Sequence, residues 1–255
     1  MVLVNPLRRK LAEGRPVYGT LATMPSPQIA QLLAGCGFDW LMIDMEHGAI
    51  GIESAQAMIA ATAVSDCVPL VRVAWNVDWL VKPALDAGAL GIAFPMIRSA
   101  KEAAAAVAAC RYPPRGERGW GPFYAPSRWG TDAFTYTRDA DAAVMRIALI
   151  EHVDAVADIE AIVATEGLDV ALIAPFDLSV SLGIPGRFED PAFLEAVAAA
   201  ERVIADSPVV LGGLARDAEG ARALVARGYR FLLLAYDVMI IERAARALLE
   251  PLPRG

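Results

Sequence analysis

The stretch Leu41–Gly48, LMIDMEHG, is the best single predictor of the fold, because an apolar run ends there abruptly in Asp44, Glu46 and His47. A short apolar run of this kind is typical of a buried strand in a parallel sheet. In open and closed α/β folds, the carboxyl ends of such strands carry the functional residues. The stretch therefore predicts a buried strand that brings three ionisable side chains to a functional edge.

The same pattern recurs at three later points of the chain. The run VPLVRV carries Arg72, RIALIEH ends on Glu151 and His152, and VALIAPFDLS brings in Asp177. Because parallel strands have their carboxyl ends on the same edge of a sheet, we expect these charged groups to share one face.

Strand-like and helix-like segments alternate along the whole chain. The predicted strands cover 17–21, 40–44, 68–73, 91–95, 146–150, 169–173, 209–214 and 231–236. The predicted helices cover 5–13, 25–35, 52–64, 77–87, 100–110, 154–165, 191–206 and 217–227, and a last helix ends at Leu249. Eight βα pairs in 255 residues predict a single α/β domain over 1–255, a (β/α)8 TIM barrel with an extra N-terminal helix.

The alternation is interrupted after the fourth βα unit by a long loop at 111–132, RYPPRGERGWGPFYAPSRWGTD, which is rich in proline and glycine. Long loops inside compact domains are usually functional. In this one, arginines alternate with aromatic residues, which suits either a cover for a pocket mouth or a contact between subunits. The residues concerned are Arg115, Arg118, Trp120, Tyr124, Arg128 and Trp129.

Composition excludes several classes of partner. With 23 basic and 30 acidic residues, the formal net charge of −7 gives no basic surface for nucleic acid or anionic lipid. No apolar run reaches the roughly 18 residues needed to span a bilayer. The three widely spaced cysteines suit free thiols in a reducing compartment, so we expect a cytoplasmic protein.

Glu151 and Asp177 form a possible metal site. They lie 26 residues apart, about one βαβ unit, so that adjacent strands would present the two carboxylates side by side. Two carboxylates, with the other positions left to water and substrate, suit Mg²⁺ and nearly as well Mn²⁺. Alternatively, each carboxylate caps the next helix or pairs with an arginine.

His47 and Arg72 are candidates for acid–base chemistry and substrate binding. His47 is one of only two histidines, and it serves either as a general base, oriented by Asp44 or Glu46, or in a structural role. Arg72, at the end of an apolar strand, needs a partner, which a substrate carboxylate or an acidic side chain can supply. His152 points away from Glu151 by strand alternation, which favours a supporting or surface role.

Schiff-base catalysis is not expected, because it requires a lysine inside the pocket. The chain has only Lys10, Lys82 and Lys101, and all three fall in predicted helices. No glycine-rich dinucleotide motif, phosphate-binding loop or paired-cysteine zinc motif is present either.

Five motifs together resemble the HpcH/HpaI family of metal-dependent aldolases, and they occur in the order of that family. They are FDWLMIDMEHG, PLVRVAWN, LDAGALGIAFPM, RYPPRGERGWG and APFDLSVSLGIPG. The resemblance implies a (β/α)8 barrel that cleaves 4-hydroxy-2-oxo acids reversibly to pyruvate, or a close analogue, and an aldehyde. It also implies an enolate stabilised on Mg²⁺, Mn²⁺ or Co²⁺, and a hexamer built as a dimer of trimers.

The resemblance also implies roles for individual residues. Glu151 and Asp177 match the metal ligands, and Arg72 matches the arginine that binds pyruvate and stabilises the enolate. His47 matches the residue assigned to proton transfer, and Asp86 matches an aspartate that pairs with that histidine.

Substrate contacts are implied by the resemblance as well. The main chain around Ala174 and Phe176 corresponds to the segment whose N–H groups hold the pyruvate carboxylate. The chain departs from the family where the usual QIET is LIEH, so that Leu149 replaces a glutamine of the pocket and His152 replaces a threonine. Leu149 therefore predicts an altered substrate preference.

Two other functions stay open. An enolate-forming lyase, such as an oxaloacetate-type decarboxylase, needs the same metal and Arg72 but no aldehyde pocket. A catalytically silent barrel that binds a keto acid is the second, because the family's pocket glutamine is replaced by Leu149.

Overall fold

The eight strands close into a parallel barrel in the order of the sequence, in a computed structural model that describes residues 2–252. The strands are β1 Val17–Ala22, β2 Trp40–Asp44, β3 Val68–Arg72, β4 Gly91–Phe94, β5 Met145–Ile150, β6 Val170–Ile173, β7 Val210–Leu214 and β8 Phe231–Tyr236. The predicted TIM barrel is confirmed. The ends of the predicted domain, Met1 and 253–255, lie outside the described residues.

Helices follow each strand, and proline and capping residues mark several of their starts. Within residues 2–252 they are α1 Pro6–Ala12, α2 Pro27–Gly35, α3 Ile52–Ala61, α4 Asp78–Asp86, α5 Ala100–Cys110, α6 Ala125–Arg128, α7 Ala133–Ala143, α8 Val153–Ala157, α9 Ile159–Val163, α10 Pro175–Ser181, α11 Pro191–Ala205, α12 Ala218–Ala226 and α13 Asp237–Leu249. Ser26, for example, accepts a hydrogen bond from the Ile29 N–H, with Pro27 at the first helical position. None of these helices combines the length and apolar character that crossing a bilayer requires.

Aromatic side chains fill the barrel interior. Trp40 is completely buried and stacks on Phe231, with ring centroids 4.5 Å apart. A Cβ atom on Gly19 would lie 1.9 Å from the Trp40 ring, so the indole fits only because this position is glycine. The interior is therefore packed, as in other barrels of this type, and access is left to the ends.

The amino end of the barrel, where the strands begin, is covered by α1. The side chain of Asn5 donates to the Leu90 and Ala143 carbonyls, just ahead of two strands. Leu7 is fully buried below it. The extra N-terminal helix predicted from the sequence thus covers one end of the barrel, and the other end remains for the site.

The long loop at 111–132 also lies at the amino end, so it does not cover the mouth formed by this chain's own strand ends. Helices in βα units run antiparallel to the strands, which brings their last residues to the amino end. The loop contacts two such places: the Arg118 guanidinium bonds Asp86 at 2.7 Å, and the Trp129 indole donates to the Gly88 carbonyl. The pocket-mouth hypothesis is wrong within one chain, and the subunit-contact hypothesis is untested.

Besides the four-residue α6 inside the long loop, the sequence interpretation missed two helices, α7 and α10. The first follows the irregular loop and has a largely polar sequence, although Asp132 caps it by accepting from two main-chain N–H groups. The second begins with Pro175, a residue that suits a first helical turn. The segment predicted as one helix at 154–165 is split into α8 and α9.

Candidate active site

Arg72 is held at the strand ends by a buried carboxylate. Asp44 lies opposite it in the β2–β3 register and is 0% exposed. Its two oxygens accept from the Arg72 Nε and Nη2 at 2.8 and 2.6 Å, a bidentate pair that fixes the plane of the guanidinium. Asp44 also accepts from the N–H groups of Glu46 and His47, so one carboxylate orients both the arginine and the start of the loop.

Glu46 approaches the other side of the same guanidinium. Its Oε2 lies 3.1 Å from the Arg72 Nη1, but this buried oxygen accepts no well-aligned hydrogen bond from the described residues. Burial raises the pKa of Glu46, as do Asp44 and Asp177, while Arg72 and His47 oppose that rise. The positive charge near Glu46 therefore does not fully compensate the burial of its carboxylate.

Glu151 follows β5 directly and is only 3% exposed. Burial raises its pKa to about 7, with smaller contributions in the same direction from Asp177 and Glu46, although the Met96 N–H and Arg72 oppose the shift. The Met96 N–H donates to Oε1 at 2.6 Å. A carboxylate in this setting favours either a proton or a cation.

Asp177 stands in the first turn of α10, and it is exposed. It was expected directly at a strand end, but β6 stops at Ile173 and the helix begins two residues later. The adjacency on which the prediction rested does hold, because β5 and β6 are hydrogen-bonded neighbours.

The donor set fits a divalent cation. Glu46 and Asp177 are close enough to Glu151 to raise its pKa, and Asp177 also raises the pKa of Glu46, while Arg72 beside them is already paired with Asp44. In the part of the chain from 2 to 252, no three His, Cys, Asp or Glu side chains form a complete ligand set. Two carboxylates with positions left for water and substrate are an arrangement that Mg²⁺ and Mn²⁺ accept.

His47 and Asp86 do not meet within one chain. The His47 side chain is 69% exposed, and its Nε2 lies 3.8 Å from a Glu46 oxygen. Asp86 is the last residue of α4 and therefore lies at the amino end of the barrel, where it pairs with Arg118. The predicted pair of His47 and Asp86 is thus not formed within a single copy.

The main-chain donors differ in part from those expected. The Ala174 N–H donates to the Ile150 carbonyl at 3.1 Å, so it is not free for a substrate carboxylate, and the binding of that carboxylate by the main chain around Ala174 and Phe176 stays a prediction. Pro175 has no N–H. The free donors in the first turn of α10 are those of Phe176 and Asp177, since no side chain among the described residues caps this helix.

Leu149 and His152 flank Glu151 on β5 and just beyond it. Leu149 is buried and lies opposite Leu172 in the strand register. The His152 Nδ1 accepts from the Asp154 N–H and caps α8, which agrees with the supporting role expected for it. Met96 could not be identified from the sequence, because its contribution to the site is a main-chain N–H, which every residue type except proline has.

An apolar groove of about 840 Å³ opens beside the carboxylates. Phe176, Leu214, Tyr236 and Met239 line it, together with Arg216 and Arg243. Because Phe176 belongs to the same helical turn as Asp177, the groove and the charged cluster share one wall.

Comparison with known proteins gives matches over nearly the whole chain. A family model described as HpcH/HpaI aldolase/citrate lyase matches residues 20–244. A hydroxypyruvate/pyruvate aldolase of Paraburkholderia phytofirmans is 37% identical over 255 residues, covering 96% of each chain. A 4-hydroxy-2-oxo-heptane-1,7-dioate aldolase of Escherichia coli is 34% identical, covering 96% of this chain and 93% of its own. The crystal structure of a Burkholderia cenocepacia family protein superimposes with a TM-score of 0.89 at 34% identity, covering 97% and 98%.

Proposed function

The chain belongs to the HpcH/HpaI aldolase/citrate lyase family, and on that premise we propose how its strand ends act as an active site. The protein is a lyase of the aldolase type. It catalyses reversible cleavage of a 4-hydroxy-2-oxo acid to pyruvate, or a close analogue, and an aldehyde. The observation that carries the proposal is the excess of carboxylates around Arg72.

Glu151 and Asp177 are the proposed metal ligands, with Mg²⁺ or Mn²⁺ as the ion and Co²⁺ as a further option. When bound, the metal supplies a Lewis acid that polarises the 2-keto group. Glu46 accepts no aligned hydrogen bond and adds negative charge beside the ligands, which supports a dication there.

Arg72 is the proposed group that stabilises negative charge on the keto oxygen while the C3–C4 bond breaks. Asp44 holds its Nε and Nη2, which preorganises the guanidinium before substrate arrives. The N–H groups of Phe176 and Asp177 point from a helix start and are suited to the substrate carboxylate.

His47 is the proposed base for the 4-hydroxyl proton, and we assign its partner, Asp86, to a second copy of the chain. The two residues lie at opposite ends of one barrel, so only contact between copies can bring them together. This assignment goes with the proposed homo-oligomer, a hexamer built as a dimer of trimers.

Exposed apolar surface supports that assembly. The helix α13 has an apolar side that no residue between 2 and 252 covers, formed by Val238, Ile241, Leu248 and Leu249. At the amino end, Trp120 and Phe123 are exposed beside each other in the long loop. Patches of this kind mark association surfaces. The three cysteines are free thiols, which supports the further proposal of a reducing, cytoplasmic location.

The test is an assay of pyruvate with a panel of aldehydes before and after chelation. Chelation should abolish aldol cleavage, and Mn²⁺ or Mg²⁺ should restore it. Borohydride with pyruvate should leave activity intact, and a stable adduct on Lys82 or Lys101 would refute the metal-based mechanism. Parallel assays with oxaloacetate separate the aldolase from the decarboxylase alternative, which would show decarboxylation without cleavage.

A further inference from the structure

Met96 has an unusual backbone conformation. With φ at 53°, it is the one residue other than glycine in the left-handed region among residues 2–252. That region is unfavourable for any residue with a Cβ, so it persists only where the surroundings impose it. Such residues cluster at functional sites, and Met96 lies two residues beyond the end of β4.

The conformation changes the direction of one N–H group. The first residue beyond β2, β3 and β6 in each case donates its N–H to a main-chain oxygen of the neighbouring strand. These donors are Met45, Val73 and Ala174. Beyond β4, Pro95 has no N–H to donate, and the Met96 N–H turns to the Glu151 side chain instead.

Because of this contact, the two carboxylate oxygens of Glu151 have different hydrogen-bond partners. Oε1 accepts from Met96 at 2.6 Å, which is short for an N–H donor. No donor from the described part of the chain reaches Oε2. Since the side chain is buried, it has little freedom to exchange the two oxygens.

We propose that Met96 is a positioning residue that makes Glu151 a one-oxygen ligand and so sets the metal preference of the site. Ca²⁺ takes six to eight oxygens and commonly uses both oxygens of a carboxylate, whereas Mg²⁺ and Mn²⁺ suit octahedral sites with single oxygens and water. A Glu151 with Oε1 engaged therefore disfavours Ca²⁺. The inference rests on the proposed function, because it takes Glu151 as a metal ligand.

The experiment measures Mn²⁺ binding by electron paramagnetic resonance and its displacement by Ca²⁺, without substrate. In Met96→Val, β-branching opposes the left-handed conformation and should turn the N–H away. We expect Mn²⁺ affinity to fall roughly tenfold or more, as for other residues that orient a ligand, and the Mn²⁺ to Ca²⁺ affinity ratio to fall with it. Met96→Leu is the matched control and should keep both values, while Met96→Gly, which accepts the same φ, should keep the ratio.

A main-chain ester at position 96, made with the α-hydroxy analogue of leucine and compared with Met96→Leu, covers the case in which Met96→Val does not fold. It removes only the N–H and should lower the same ratio. An unchanged ratio in the ester would overturn the role of Met96. If the ratio is unchanged in the ester but the wild-type protein binds Mn²⁺, the proposed metal site still stands. If the wild-type protein binds no Mn²⁺, both the role of Met96 and the metal site are overturned.

Discussion

The two ends of the barrel both hold charged side chains, but they use them differently. At the carboxyl end, Glu46 and Glu151 lie near Arg72, whose charge is already matched by Asp44, and Asp177 lies near both glutamates. At the amino end, several arginines bind the chain itself. Arg146 donates to the Asp141 carbonyl, Arg8 to that of Val144 and Arg128 to that of Ile59.

This contrast distinguishes a binding site from polar groups that only support the fold. Guanidinium groups that donate to main-chain carbonyls hold loops in place. Carboxylates that converge without enough cations raise one another's pKa, and a bound cation relieves that repulsion.

Replacing the arginine of the carboxyl end should abolish the chemistry. Arg72→Lys keeps a positive charge beside the buried Asp44 but removes the bidentate fork. Aldol cleavage, oxaloacetate decarboxylation and pyruvate proton exchange should all fall by roughly 100- to 1,000-fold, because all three develop charge on the same oxygen. Steady-state rates and proton exchange by NMR give the measurement.

Arg146→Met is the matched control at the amino end, since Arg146 is also a buried arginine on a strand. Loss of its hydrogen bond to the Asp141 carbonyl should lower the free energy of unfolding by about 2 kcal/mol. The three reaction rates should stay close to wild type. Equal catalytic losses in both variants would contradict the distinction between the two ends.

The stability of the metal-free protein should depend on the pH through Glu151. Its folded pKa of about 7 lies above the ordinary value of 4.5, so the folded chain holds this proton more tightly than the unfolded chain. The free energy of unfolding should therefore fall by roughly 3 kcal/mol as the pH rises from about 4.5 to 7, since one pKa unit corresponds to about 1.4 kcal/mol. Above pH 7 this contribution is constant.

Urea titrations of wild type and Glu151→Gln from pH 4.5 to 8 measure the effect, because the variant lacks the titrating group. Parallel stability curves would show that Glu151 carries no such penalty. Added Mn²⁺ should remove the fall in the wild type, since it stabilises the ionised carboxylate.

The proposed pairing of His47 with Asp86 of a second copy would place residues from both barrel ends in one active site. Each of the variants His47→Ala and Asp86→Asn, assayed by itself, should lose aldol cleavage. When the two variants are co-expressed and assembled together, roughly a quarter of the sites in a random mixture should regain an intact His47 and Asp86. No recovery in verified mixed oligomers would contradict the assignment of Asp86 to a second copy.

The smallest expected effect concerns the wall of the carboxyl end. Leu149 cannot hydrogen-bond a polar substrate group, so leaving such a group unpaired should cost roughly 1 to 3 kcal/mol. Leu149→Gln should therefore shift relative kcat/KM toward polar keto acids or aldehydes by about tenfold. A matched panel with unchanged preferences and intact Mn²⁺ affinity would show that Leu149 does not set specificity.

The barrel was predictable because its information is local. Each strand is an apolar run bounded by glycine, proline or charge, and the observed strand ends agree with the predicted ones to within a residue. The location of Asp86 could also have been deduced, since the end of a helix after a strand must lie at the amino end. The position of Met96 could not, because nothing in a methionine indicates a left-handed backbone that tertiary contacts impose.

Because the apolar side of α13 is exposed in one copy, the stability of this helix should depend on association and therefore on protein concentration. Residues 241–250 are all exposed in one copy, and an isolated helix of this length is marginal in water. A helix that becomes stable only on association has a folded fraction that depends on protein concentration. At high dilution its end should fray first, so proteases should cleave near Leu248 in dilute samples and spare the same bond in concentrated ones.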